Sequence, residues 1–174
     1  AEALQCADHV LSVDPENGAA WCRRGHALER LRRFDEARSA FGRLLALQPQ
    51  HAEAWFHLGQ LQQRQGRLTE ALASLDKALA LTPGHASAWT QRGSLLKDMG
   101  RKAEAAVAFE RAIELGADAD LNRFFLASLG AQSSPASAPR AYVQALFDDY
   151  ADGFDQHLVD LLGYQAHRQL ITPL

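Results

Sequence analysis

Apolar and small residues recur along this chain with two superimposed periods. Within stretches of about a dozen residues they fall three or four apart, as on one face of a helix. The stretches themselves repeat every 34 residues: Trp21, Trp55 and Trp89 mark the longer period, each followed four residues on by Gly25, Gly59 or Gly93. The same ruler aligns Ala37, Ala71 and Ala105, then Phe41, Leu75 and Phe109, then Leu44, Ala78 and Ala112, and it closes the copies at Pro49, Pro83 and Ala117. Several registers agreeing at one spacing define an internal repeat. A repeat of this length means a stack of small units, each unable to bury its apolar face alone.

The pattern predicts two helices per unit. In the first full unit, residues 18–51, one helix is expected from about Ala19 to Arg32 and a second from about Phe34 to Leu47. Gln48-Pro49 ends it, because proline lacks the N–H that a helix needs and disfavours helical geometry in the residue before it. Units 52–85 and 86–119 repeat this plan and turn at Gln65-Gly66-Arg67 and Met99-Gly100-Arg101, where glycine can take the left-handed conformation that closes a helix. Each Trp is expected to fill the space between paired helices. Gly25, Gly59 and Gly93, lacking a Cβ, are expected to let the partner helix approach closely.

Run backwards, the ruler puts Ala3, Ala7, Val10 and Pro15 on the registers of Ala37, Phe41, Leu44 and Pro49. Residues 1–17 therefore read as the second helix of an incomplete unit, stopped by Asp14-Pro15. Residues 120–129 start a fourth unit without completing it, and Leu121, Phe124, Phe125 and Leu129 are the expected apolar face of a capping helix. Residues 130–139, Gly-Ala-Gln-Ser-Ser-Pro-Ala-Ser-Ala-Pro, read as a semi-extended linker. Residues 140–174 are expected to form a helical tail, with Tyr142, Leu146 and Tyr150 on one stripe and Phe154, Leu158, Leu161 and Leu162 on another after Asp152-Gly153. The chain opens with Ala and in mid-repeat, from which a piece of a longer protein is expected.

Composition narrows the picture to an all-α chain. Gly and Pro number only 12 and 6, and Ala, Leu, Gln, Glu and Arg, which lose little side-chain freedom in a helix, dominate. A net charge of −3 offers no basic field to displace counterions from a phosphate backbone, so nucleic acid is not an expected partner. No apolar run is long enough to span a membrane, so no membrane role is expected either. Cys6 and Cys22 fit neither a disulfide framework nor a metal-ligand pattern, and a cytoplasmic location is the simplest expectation.

At these registers the chain resembles the tetratricopeptide repeat (TPR) family over residues 1–119. Trp55-x-x-Leu58-Gly59, then Ala71, Leu75, Ala78 and Pro83, carry the family spacing. Arg24 and Arg92 depart from it where Leu58 fits, as does Gln62 where an aromatic or leucine is usual. The resemblance implies a right-handed superhelix, an α-solenoid of antiparallel helix pairs, whose first helices line a concave groove. In that groove the positions implied to face a protein or peptide partner are Cys22, His26 and Glu29, then Phe56, Gln60 and Gln63, then Thr90, Ser94 and Lys97. Phe56 is the expected central anchor. The alternative is that these nine are ordinary solvent-facing positions.

The tail has a resemblance of its own. Tyr142-Val143, Leu146-Phe147-Asp148, Tyr150-Ala151, Phe154-Asp155 and His157-Leu158-Val159, followed by Leu162-Gly163-Tyr164, are similar to the segment that joins TPR units to the catalytic domain in predicted S-adenosylmethionine-dependent methyltransferases. The resemblance implies an enzyme in the full-length protein, with S-adenosylmethionine as its cofactor, and a chain that stops before the glycine-rich cofactor loop. No catalytic, cofactor or metal residue is then expected here. The tail aromatics and His157 either help to cover that enzyme's active site or merely pack.

The remaining candidate chemistry is sparse. His51 and His85 lie one repeat apart, as a repeated loop residue does, and a metal would need donors converging to about 2 Å. Asp155-x-His157-x-x-Asp160 lacks the spacing of a zinc-protease helix. The cluster Arg23, Arg24, Arg30, Arg32 and Arg33 is interleaved with Glu29, Asp35 and Glu36 and reads as a salt-bridged surface. Nothing matches a nucleophile elbow or P-loop. The expected function is a non-catalytic interaction scaffold, with self-association through exposed end faces as a further possibility.

Overall fold

A computed structural model describes residues 2–130, which form eight helices and no strand. In order they are α1 (Glu2–Val13), α2 (Gly18–Arg30), α3 (Phe34–Leu47), α4 (Ala52–Arg64), α5 (Leu68–Leu81), α6 (Ala86–Asp98), α7 (Lys102–Glu114) and α8 (Ala119–Ser128). The expected linker beyond Gly130, the tail of residues 140–174 and the Asp155/His157 pair lie outside the described residues. Each helix packs on the next in the chain, and α4 also touches α6, as in a solenoid whose alternate helices share a face.

The helix ends are built by one recipe used repeatedly. Asn17 Oδ1, His51 Nδ1 and His85 Nδ1, 34 positions apart, cap α2, α4 and α6 by accepting from the backbone N–H three residues on, at 3.0, 3.2 and 3.3 Å. His51 and His85 are therefore cap residues, each accepting through Nδ1. At the other end the N–H of Arg33, Arg67, Arg101 and Ala117 returns to the carbonyl of Leu28, Gln62, Leu96 and Ala112 at 2.8–2.9 Å. This bond requires a left-handed residue just before it. Gly66, Gly100 and Gly116 supply it with φ of 72, 75 and 83°, but the first unit uses Arg32 at φ 57°. That left-handed residue is why α2 stops at Arg30 rather than running to Arg32.

Each Trp does more than fill space. The indole N–H of Trp21, Trp55 and Trp89 donates to the carbonyl of Pro15, Pro49 and Pro83 at 2.8, 2.8 and 2.9 Å, pinning the loop that separates consecutive units. Within each pair the second helix pushes a fully buried Phe41, Leu75 or Phe109 against the glycine of the first. A Cβ at Gly25 would lie 2.6 Å from the Phe41 ring, one at Gly59 2.9 Å from Leu75 Cγ, and one at Gly93 2.6 Å from the Phe109 ring. Those contacts are shorter than two carbon atoms tolerate.

The departures from the family pattern are compensated in space. Arg24 reaches back from α2 to Asp8 on α1 at 2.7 Å, and Arg92 from α6 to Asp76 on α5 at 2.8 Å, each also lying over its own helix's Trp ring. At the corresponding register of the unit between them stand Leu58 and Gly42. Gln62 is 8% exposed, and its carbonyl accepts from the buried Ser74 hydroxyl at 2.7 Å, where the other units place Leu28 with Ala40 and Leu96 with Ala108.

In α8 the buried set is Asn122, Phe125, Leu126 and Ala127, a correction to the expected face of Leu121, Phe124, Phe125 and Leu129. Asn122 faces inward because Thr90 Oγ1 donates to its carbonyl at 3.0 Å while its amide donates to the Asp118 carbonyl at 2.7 Å.

Candidate functional site

The first helices of successive units, α2, α4, α6 and α8, meet through one recurring contact. Glu29 faces His57 across the first seam, with Oε2 3.1 Å from Nδ1. Gln63 accepts from Gln91 at 2.6 Å across the second, and Lys97 Nζ lies 6.0 Å from the centroid of the Phe125 ring across the third. Every pair is 28 positions apart, so a single register closes each seam with a different chemistry: an ion pair, an amide pair and a cation on an aromatic face. Gln63 also donates to Asp98 at 2.9 Å, and Glu53 joins His85 to the row with Oε2 3.2 Å from Nε2.

Around His57 the row thickens into a cluster. Its ring is stacked on Phe41, with centroids 5.2 Å apart and planes 8° from parallel, and meets His26 edge-on at 4.6 Å. Its Nε2 lies 3.2 Å from Glu53 Oε1, so carboxylates flank both ring nitrogens. Burial opposes charge on His57, but the hydrogen bond and charge of Glu29, with Glu53 adding to them, outweigh it and hold its pKa above the ordinary histidine value. His26 goes the other way, lowered by burial and then by the neighbouring His57. Cys22 Sγ sits 3.9 Å from His26 Nδ1, and burial followed by the Glu53 charge pushes its thiol pKa up, which suppresses the nucleophilic thiolate.

The nine groove positions expected from the sequence divide four ways. Cys22, His26 and Glu29 gather at the cluster on α2. Gln63, Thr90 and Lys97 are engaged in the seams, while Gln60 and Ser94 are half-buried on α4 and α6. Phe56 requires a correction: it is 8% exposed and packed with Ala71, Leu75 and Ala88 and against His85, so it belongs to the core and is not an anchor presented to a partner. Burying that ring is worth roughly 1.5–3 kcal/mol, which exposure to a ligand would forfeit. Sequence reasoning missed Glu53, His57 and Gln91, and it read His85 only as a repeated loop residue. For His57 and Gln91 the available signal was the 28-residue offset between the last turn of one first helix and the second turn of the next.

Fold and site together define a helical-repeat solenoid whose first helices carry a continuous polar seam. Sequence profiles described as tetratricopeptide repeat match residues 22–86 and 86–117, more than half of the 174-residue chain. The chain therefore belongs to the tetratricopeptide repeat family. A comparison with curated proteins gives no match. Among solved structures, a crystal structure of MamA is similar with a TM-score of 0.70 at 21% identity, over 72% of this chain and 74% of that one. The first TPR of Spaghetti (RPAP3) bound to the HSP90 peptide SRMEEVD has a TM-score of 0.63 at 18% identity, over 67% of this chain and 93% of that one. At these identities the likeness establishes the fold. Among the described residues no helix is long and apolar enough to cross a membrane.

Proposed function

We propose that this chain is a non-catalytic interaction module that holds a protein or peptide segment along the face shared by α2, α4 and α6. The observation that carries the reading is the row of cross-seam contacts from Glu29–His57 to Lys97–Phe125. Polar side chains already fixed by neighbours present donors and acceptors without first losing rotamer freedom, which favours binding an extended segment. The peptide-bound TPR among the similar folds supports the same use of the architecture. A peptide library displayed on phage and selected on the full chain tests it. Selected peptides are expected to lose binding to a Gln60→Arg/Ser94→Arg variant and to keep it with Lys77→Glu/Glu110→Lys on exposed positions of the second helices. The opposite pattern refutes the assignment.

The methyltransferase-like tail favours a second, finer reading, that the module positions a protein substrate for an S-adenosylmethionine-dependent methyltransferase in the same polypeptide. Gene sequence beyond Leu174 should then encode a strand ending in an Asp-x-Gly-x-Gly-like loop, and a stop codon or unrelated sequence removes this reading. Calorimetry of the present chain with S-adenosylmethionine is expected to show no binding; micromolar affinity would place part of the enzyme in these residues. Self-association through end surfaces such as exposed Val10 and Val13 is tested by sedimentation over a concentration range. A concentration-independent monomer excludes it.

A further inference from the structure

His26 and Glu29 stand one helical turn apart on α2, and α4 brings His57 against both. One ligand atom from each of the three lies within 4.8 Å of the other two. Glu29 Oε2 and His57 Nδ1 are already 3.1 Å apart. Two donors bound to one zinc ion at about 2.0–2.1 Å in tetrahedral geometry are separated by roughly 3.3 Å, so this pair is spaced as two ligands of a shared ion. His26 is half-buried, and its ring meets that of His57 edge-on with centroids 4.6 Å apart.

The surroundings hold these donors as ligands are usually held. Stacking on the fully buried Phe41 restricts the plane of the His57 ring. Glu53 Oε1, 3.2 Å from His57 Nε2, accepts the proton on the nitrogen opposite the one facing Glu29. A carboxylate behind an imidazole is the outer arrangement that fixes the tautomer of a metal-bound histidine and raises its basicity. Glu53 is itself oriented by His85, whose Nδ1 accepts from the Ala88 N–H at 3.3 Å, leaving Nε2–H to donate to Glu53 Oε2 at 3.2 Å.

We propose that His26, Glu29 and His57 bind a single divalent transition-metal ion of the zinc class, with Glu53 as a positioning residue behind His57. Two imidazoles and one carboxylate suit zinc, cobalt or nickel, whereas calcium and magnesium demand sets of oxygen donors. On binding, the ion replaces the proton between Glu29 and His57 Nδ1; that proton leaves to solvent, and water completes the coordination. The ion would tie α2 to α4 across the first seam. Neither the site nor its test requires the partner inferred above.

The experiment is calorimetric titration of the chelator-treated full chain with zinc chloride, accompanied by cobalt titration read in the visible spectrum. One equivalent is expected to depend on all three ligands, with His26→Gln, Glu29→Gln and His57→Gln each weakening it roughly tenfold or more, and Glu53→Gln weakening it roughly 10- to 100-fold. His9→Gln, at an exposed position of α1, is expected to leave affinity unchanged. Far-UV circular dichroism checks folding. Because His57→Gln also removes the stack on Phe41, Glu29→Gln, of nearly the same shape, keeps the test decisive if His57→Gln unfolds. Absence of zinc binding overturns the proposal. So does binding that survives Glu29→Gln and His26→Gln in folded protein, which would place the ion elsewhere.

Discussion

Gln63 accepts a hydrogen bond from Gln91 at 2.6 Å across the seam between α4 and α6, the middle member of the row that Glu29–His57 opens and Lys97–Phe125 closes. Both glutamines are half-buried. A double-mutant cycle of Gln63→Ala and Gln91→Ala is expected to return a coupling of roughly 0.5–1.5 kcal/mol in urea denaturation, the net value of one such bond. Strict additivity of the two substitutions would show that the seam is closed by apolar packing alone.

Glycine at the first-helix register is required by space. Gly59→Leu must displace Leu75 and the Ala71 carbonyl, which lie 2.9 and 3.2 Å from the position of a Cβ. A loss of about 1–3 kcal/mol, read as a fall of several degrees in melting temperature, is expected from overpacking. Gln60→Ala, one residue along, is expected to change stability by less than about 0.5 kcal/mol. Equal effects would mean that close approach of the paired helices is not what the glycine secures.

The buried Gln62–Ser74 pair makes a sharper test, because it can be broken or replaced as a whole. Ser74→Ala strands the Gln62 carbonyl and should destabilise the protein by roughly 1–3 kcal/mol, the desolvation penalty of an unpaired polar group. Adding Gln62→Leu recreates the Leu/Ala pairing of the flanking units and should recover most of that loss. A double variant no better than Ser74→Ala alone would contradict the pairing.

Arg32 holds a left-handed backbone conformation at the position where the next two units place Gly66 and Gly100. Left-handed geometry costs an L-residue roughly 1–2 kcal/mol, while glycine gives back about 0.5–1 kcal/mol in chain entropy. Arg32→Gly is therefore expected to raise stability by about 0.5 kcal/mol net. Gly66→Arg should lower it by a comparable or larger amount. Thermal melting of both variants checks the sign, and a destabilised Arg32→Gly would show that its guanidinium over the Phe34 ring outweighs the strain.

What could be read directly from the chain was whatever the backbone demands in every unit. Trp55, Gly59, Ala71 and Pro83 recur because the same close approach and the same loop recur, and repetition makes such positions visible. The seam was not visible for the opposite reason. Its geometry repeats, but His57, Gln91 and Phe125 share no side-chain chemistry, so the ruler passes over them. Phe56 was misassigned because the family register fixes which way a Cα–Cβ bond points, not how far a large ring then turns inward to escape water. Asn122 was missed because a buried amide is recognisable only once Thr90 and the Asp118 carbonyl are known to satisfy it.

The ion pairs Arg24–Asp8 and Arg92–Asp76, separated by the plain Leu58/Gly42 register, give the array a grammar of two units rather than one. Copying residues 18–85 in tandem would set Asp76 against a second Arg24 and leave every junction matched. Copying residues 18–51 alone would set Gly42 against Arg24 and lose the carboxylate. An array of this kind can be lengthened in pairs without redesign, and a spacer engineered from it should be built in even steps.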